Sequence, residues 1–213
     1  MRKNLGIALT LFLIQAVHVQ ASQPSTAFDQ HGVIIDVRTF FKSTDQARTP
    51  EEIAHGDIAN RALATTVGVY SFLETPENQS QLAQMVPGTV VRIQGQLLEK
   101  GALVHIDTVT KASQISLDLD LAGLRNNAGQ KVSLKGANKC QCGLAVEDLP
   151  HSCLLGHLHH LEAEDGKIYH YLPFAQGQDI FLGKDSHFKA VEVEGRVFPG
   201  QFLLLDAVKI AQN

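Results

Sequence analysis

Along much of this chain apolar and polar residues alternate with period two. Val91-Arg92-Ile93-Gln94 and Val191-Glu192-Val193-Glu194 both follow this rhythm, which marks a half-buried β-strand. Each run meets a glycine, turns, and returns as a second apolar stretch. Leu117-Asp118-Leu119-Asp120-Leu121 alternates in the same way and predicts a further strand. Leu161-Glu162-Ala163-Glu164 and Lys167-Ile168-Tyr169-His170-Tyr171 flank Asp165-Gly166, which predicts a hairpin with a type I′ turn. Helical signals are sparse. Thr49-Pro50-Glu51-Glu52 predicts a short helix capped by Thr49, and Gln79 to Met85 predicts another. Asn126-Asn127-Ala128-Gly129 reads as a linker.

The pattern repeats. Val91, Ile93 and Gly95 match Val191, Val193 and Gly195 at an offset of 100. Beyond the turn, Gly101, Asp107 and Val109 match Gly200, Asp206 and Val208 at an offset of 99. Upstream, Val69 to Leu73 pairs with Ile168 to Leu172, and Gly32 to Ile35 pairs more loosely with Lys131 to Leu134, both at 99. The one-residue difference falls in a turn, where length changes are tolerated. The recurrence of Asp107 and Asp206 points to a structural role at a strand end.

Short strands, glycines at bends and a unit under about 100 residues suggest small barrels. The pattern x-V-x-V-x-G-x-V, followed by a turn and a strand carrying Asp-x-Val, resembles the later strands of exported bacterial OB-fold modules. The resemblance implies an all-β chain of two tandem, OB-like antiparallel barrels with short helices. It divides the chain into residues 1–21 as a signal peptide, 22–125 as the first repeat and 126–213 as the second. OB-folds serve many ligands, so the architecture names no function.

The N-terminus changes the picture of where the protein works. Arg2 and Lys3 precede an apolar run from Leu5 to Val17, and Val19-Gln20-Ala21 offers a cleavage site. This is the tripartite form of a secretory signal, and the apolar run is too short to span a bilayer. The expectation is a periplasmic or secreted protein with no membrane span after cleavage. Loss of Arg2 and Lys3 moves the formal charge from −4 to −6, and no basic patch remains for a nucleic acid. Tryptophan is absent, which argues against a carbohydrate-stacking surface.

One stretch carries chemistry. Residues 139–161 hold all three cysteines and four of the ten histidines. Thiolate and imidazole donors suit Zn or Cu. Candidate ligands are Cys140, Cys142, Cys153, His151, His157, His159 and His160. Cys140 and Cys142 can share one face of an extended chain, and a disulfide between them is strained. In the hairpin reading His159 shares a face with Leu161 and Ala163. Register counting then sets His170 opposite Leu161, on that same face, as an extra ligand. The corresponding segment of the first repeat, from Phe40 to Ala64, has no cysteine and one histidine, His55. The cluster is therefore an addition to one copy.

Three alternatives stay open. Cys153 can pair with Cys140 or Cys142 as a structural disulfide. A redox pair lacks the C-x-x-C spacing, and the histidines taken singly suit a solvated surface. No nucleophile–base pair or phosphate loop calls for an enzyme. The leading expectation is an exported, non-enzymatic protein that binds a soft transition metal for storage, delivery or sensing. The alternative is an envelope protein-interaction module of two barrels with a structural disulfide and no metal.

Overall fold

A computed structural model describes residues 25–41, 61–73, 81–82, 84–112, 115–140, 159–172, 186 and 188–211. The first barrel comprises β1 (Thr26–Asp36), β2 (Arg61–Ala64), β3 (Val69–Phe72), β4 (Val90–Leu98) and β5 (Leu103–Lys111). A single turn of helix, α1 (Val37–Phe40), follows β1, and α2 (Leu121–Arg125) follows β5. The second barrel comprises β6 (Gln130–Cys140), β7 (His159–Ala163), β8 (Ile168–Tyr171), β9 (Ala190–Phe198) and β10 (Phe202–Ile210).

Both barrels close in the same order. The first strand pairs with the second and fourth, the fourth with the fifth, and the third with the fifth. Every pairing is antiparallel except β3 with β5 and β8 with β10, which run parallel. This is the OB-like arrangement of two tandem barrels that the resemblance implied.

The repetition reaches single residues. Gln94 faces Thr108 and Gly95 faces Ile106, so Asp107 bulges from β5. Glu194 faces Ala207 and Gly195 faces Leu205, so Asp206 bulges from β10. The two aspartates therefore mark matching bulges inside strands, not strand ends. A bulge adds local twist and helps a short sheet close. The turn that follows β4 or β9 carries Ala102 at φ 45° and Gln201 at φ 60°, another matched pair.

Three local expectations are corrected. The first strands align at an offset of 104, not 99: Phe28 faces Gly95 as Val132 faces Gly195. Gly32 thereby matches Gly136. The Asp165-Gly166 hairpin is not type I′, because only Gly166 has positive φ, at 82°. Gly166 N–H donates to the Ala163 carbonyl, and Ala163 N–H donates to that of Lys167. The loop therefore holds three residues: a type I turn closed by a left-handed glycine. Finally, Leu117 to Leu121 forms no strand. It runs as an extended strap into α2, where Asp120 Oδ1 accepts the N–H of Gly123 at 2.7 Å. The predicted helix at Thr49 lies outside the described residues. At the second predicted helix, Gln81 and Leu82 are helical, and Leu82 and Met85 are buried.

Each barrel has its own interior. Ile34, Leu63, Phe72, Val91, Ile93, Val104 and Ile106 fill the first. Leu161, Tyr169, Val191, Val193, Leu203 and Leu205 fill the second. A third apolar layer lies between them. Ile35, Phe41, Ala62, Ala64 and Val69 of the first half meet Leu172, Phe198, Phe202 and Leu204 of the second, and Leu119, Leu121 and Leu124 of the strap pack against this layer. Phe41 stacks on Phe198 with ring centroids 5.0 Å apart. Beside it, Ile168 inserts among Leu73, Leu98 and Leu103. Each buried Leu, Ile or Phe contributes about 1.5–3 kcal/mol. Exposed ion pairs such as Asp29–Arg92, which lies within the first barrel, are screened by solvent and add little. Apolar contact therefore dominates the union of the two halves.

Candidate metal centre at the β6–β7 junction

The last residue of β6 and the first of β7 face each other. Cys140 is the Cα partner of His159, and Asn138 is that of Leu161. Asn138 turns its N–H to the Lys189 carbonyl and its carbonyl to the N–H of Phe188. Its peptide groups thus point away from β7. By alternation, Cys140 and His159 form a non-hydrogen-bonded cross-strand pair, in which facing side chains come closest. Both residues are buried.

Their face is the inner one. His159 has the parity of Leu161 and Ala163 along β7, and those residues lie in the interior of the second barrel. Tyr171, on the same face, is buried with no hydrogen-bond partner for its hydroxyl, and burial raises its pKa. Asn138 Nδ2 donates to the Ser186 hydroxyl at 3.0 Å. This end of the barrel is therefore polar inside. The first barrel places Ile34 and Phe72 at the positions of Asn138 and Tyr171, and sets Asp36 opposite Arg61 where the second sets Cys140 opposite His159. Arg61 Nη1 donates to the Leu82 carbonyl. Two copies of one scaffold thus hold different chemistry at the same mouth: an acid facing a base in one, a thiol facing an imidazole in the other.

His160 and His170 take the other face. They are Cα partners across β7 and β8, and His170 turns its N–H to Gln201 on the β10 side. Theirs too is a non-hydrogen-bonded, close pair. The expectation that His170 stands opposite Leu161 is overturned, since Tyr169 does. The cause is the extra residue in the hairpin loop: a slip of one residue moves a side chain to the other face. His159 and His160, as strand neighbours, likewise point to opposite sides.

The outer pair is dry. Burial holds the His170 imidazole down at about 4, although its hydrogen bond to Gly101 works the other way. Burial, then the neighbouring His170, His159 and Lys139, push His160 well below the usual histidine range. Both rings are neutral at pH 7. His170 Nε2 lies 2.6 Å from the Gly101 carbonyl of the first barrel. Neither ring nitrogen of His160 has a hydrogen-bond partner.

The structure thus divides the sequence-derived ligand set. Cys140 and His159 come together inside; His160 joins His170 outside. Cys142, His151, Cys153 and His157 lie outside the described residues, as does any disulfide through Cys142 or Cys153. Among the described residues no group of three or more His, Cys, Asp or Glu converges as a metal site, and no helix is long and apolar enough to cross a membrane. The inner pair sets one thiol and one imidazole, donor types that suit a soft metal, on facing residues. The Cys140–His159 register was not readable in advance; its signal was the parity of His159 with Leu161. Comparison with protein-family models, curated proteins and solved structures gave no match.

Proposed function

We propose that this is an exported, non-enzymatic protein that holds a soft transition metal, Zn or Cu, at the mouth of its second barrel, for storage, delivery or sensing. The observation that carries the reading is the facing pair Cys140–His159. The segment from Gln141 to Leu158 joins the two members of this pair along the chain. It carries Cys142, His151, Cys153 and His157, so the remaining cysteines lie in sequence between the two members of the pair. The loop between the first two strands is one of the loops with which OB barrels contact ligands. Cys140 and His159 supply one sulfur and one nitrogen, and the tethered residues complete a four-donor shell of the kind Zn or Cu(I) accepts. The first barrel supports the reading as an internal control, since it closes with no cysteine at all. Export belongs to the proposal and rests on the pattern of residues 1–21.

Protein purified without a polyhistidine tag is expected to carry about one equivalent of metal, with its thiols protected until a chelator is added. Cys140→Ser and His159→Ala should each release that metal and leave the far-ultraviolet spectrum of the barrels unchanged. A metal-free protein with a stable disulfide and one reactive thiol would sink the reading and favour an envelope interaction module. N-terminal sequencing of the exported form tests cleavage; a mature chain is expected to begin at Ser22.

A further inference from the structure

A second donor pair lies on the opposite face of β7. We propose that His160 and His170 form a separate, two-imidazole site for monovalent copper between the barrels.

Burying a polar atom with no partner is unfavourable. His160 is 1 % exposed and both its ring nitrogens lack a partner. A barrel does not need this, because the first barrel has Ala62 and Ser71 at the same two positions and closes in the same order. The histidines are thus additions, placed where cross-strand side chains come closest. His170 is already prepared for a ligand. Its Nε2–H donates to the Gly101 carbonyl, which leaves the lone pair on Nδ1. A bond from the second ring nitrogen to a carbonyl is the support that metal-binding histidines commonly have.

The surroundings select the ion. Phe202 lies 5.7 Å from the His170 ring, and Ile168 is the next outward-facing residue along β8. Such a dry site with two neutral donors disfavours a divalent ion that needs four ligands, and suits Cu(I), a softer ion with a single charge. Lys139 stands opposite His160, but its ammonium is held by the Glu162 carboxylate at 2.6 Å. Its charge is thereby compensated at the edge of the site.

The test uses the intact, untagged protein titrated with Cu(I) under reducing, oxygen-free conditions against a chromogenic Cu(I) chelator. His160→Ala is expected to lose one equivalent that Cys140→Ser retains, and X-ray absorption of that Cys140→Ser protein should show nitrogen donors and no sulfur. His170→Asn keeps an N–H for the Gly101 carbonyl and should lose the same equivalent. If His160→Ala fails to fold, ring resonances of the unaltered protein decide instead. Those of His160 and His170 should shift with Cu(I) in the Cys140→Ser background. Loss of one common equivalent in both His160→Ala and Cys140→Ser would overturn the separate site and leave the inner metal centre standing. Full retention of copper by His160→Ala would overturn it too. Loss by His160→Ala alone, with no metal at Cys140, would support this site and remove the inner one.

Discussion

Gly95 and Gly195 stand at the same point of the two barrels, facing Ile106 and Leu205, the residues just before the bulged aspartates of the neighbouring strands. A Cβ on Gly95 would fall on the carbonyl oxygen of His105, and one on Gly195 on that of Leu204. Backbone cannot move aside as a flexible side chain can. Gly95→Ala and Gly195→Ala are each expected to destabilise the protein by about 1–3 kcal/mol, read as a lower urea midpoint. A stability unchanged in both would show that the bulges do not need glycine.

Asp165 anchors the hairpin that decides the face of His170. Its Oδ1 accepts the N–H of Lys167 at 2.9 Å, and its Oδ2 accepts the Tyr169 hydroxyl at 2.7 Å. Together with burial, this carboxylate raises the Tyr169 phenol to about 12. Asp165→Ala should lower stability by about 1–2 kcal/mol and bring the Tyr169 titration down, measurable by ultraviolet absorbance at 295 nm. An unchanged phenol titration would contradict the contact.

How much of this was legible beforehand depends on the kind of signal. Val91 to Gly95 and Val191 to Gly195 announced their strands because alternation is a property of single strands. Asp165-Gly166 announced a turn because glycine reaches positive φ easily. Register is another matter. The loop holds three residues where two were expected, and that single residue sends His170 outward. Gly32 aligned with Lys131 in the sequence but matches Gly136 in space, because the segment between the first and second strands is shorter in the second repeat. Leu117 to Leu121 alternates like a strand, yet Leu119 and Leu121 serve a layer between the two barrels. Only tertiary packing distinguishes these cases.

The metal-free protein should lose stability below neutral pH. Burial depresses the folded pKa of His170 from 6.5 to about 4, and that of His160 in the same direction. Above pH 6.5 neither the folded nor the unfolded form binds the proton, so these groups add no slope. As pH falls from 6.5 toward 4 the unfolded chain takes up protons that the folded rings refuse. Each ring then removes about 1.4 kcal/mol per pH unit. Denaturation between pH 7 and 4 should show this loss, and the paired change of His160→Ala with His170→Asn should flatten it. An equally steep profile in that double variant would place the titration elsewhere.

Phe188 has φ 58° and is 61 % exposed. Its N–H donates to the Asn138 carbonyl as that of Gly88, at φ 93°, donates to Ile34. The first barrel therefore uses glycine where the second strains an aromatic residue. Phe188→Gly is expected to stabilise the fold by about 1 kcal/mol, visible as a higher denaturation midpoint. A lower midpoint would mean that the phenyl ring contributes more than the backbone strain removes.

The apolar layer from Phe41 to Phe202, roofed by Leu119, Leu121 and Leu124, has a consequence for the chain between the barrels. Peptide continuity is not what keeps the halves together. A protease cut between Asn126 and Gly129 should leave a nicked molecule that elutes at its original size and melts in one transition. The surface the two halves hide, rather than the covalent link, is then expected to do the holding.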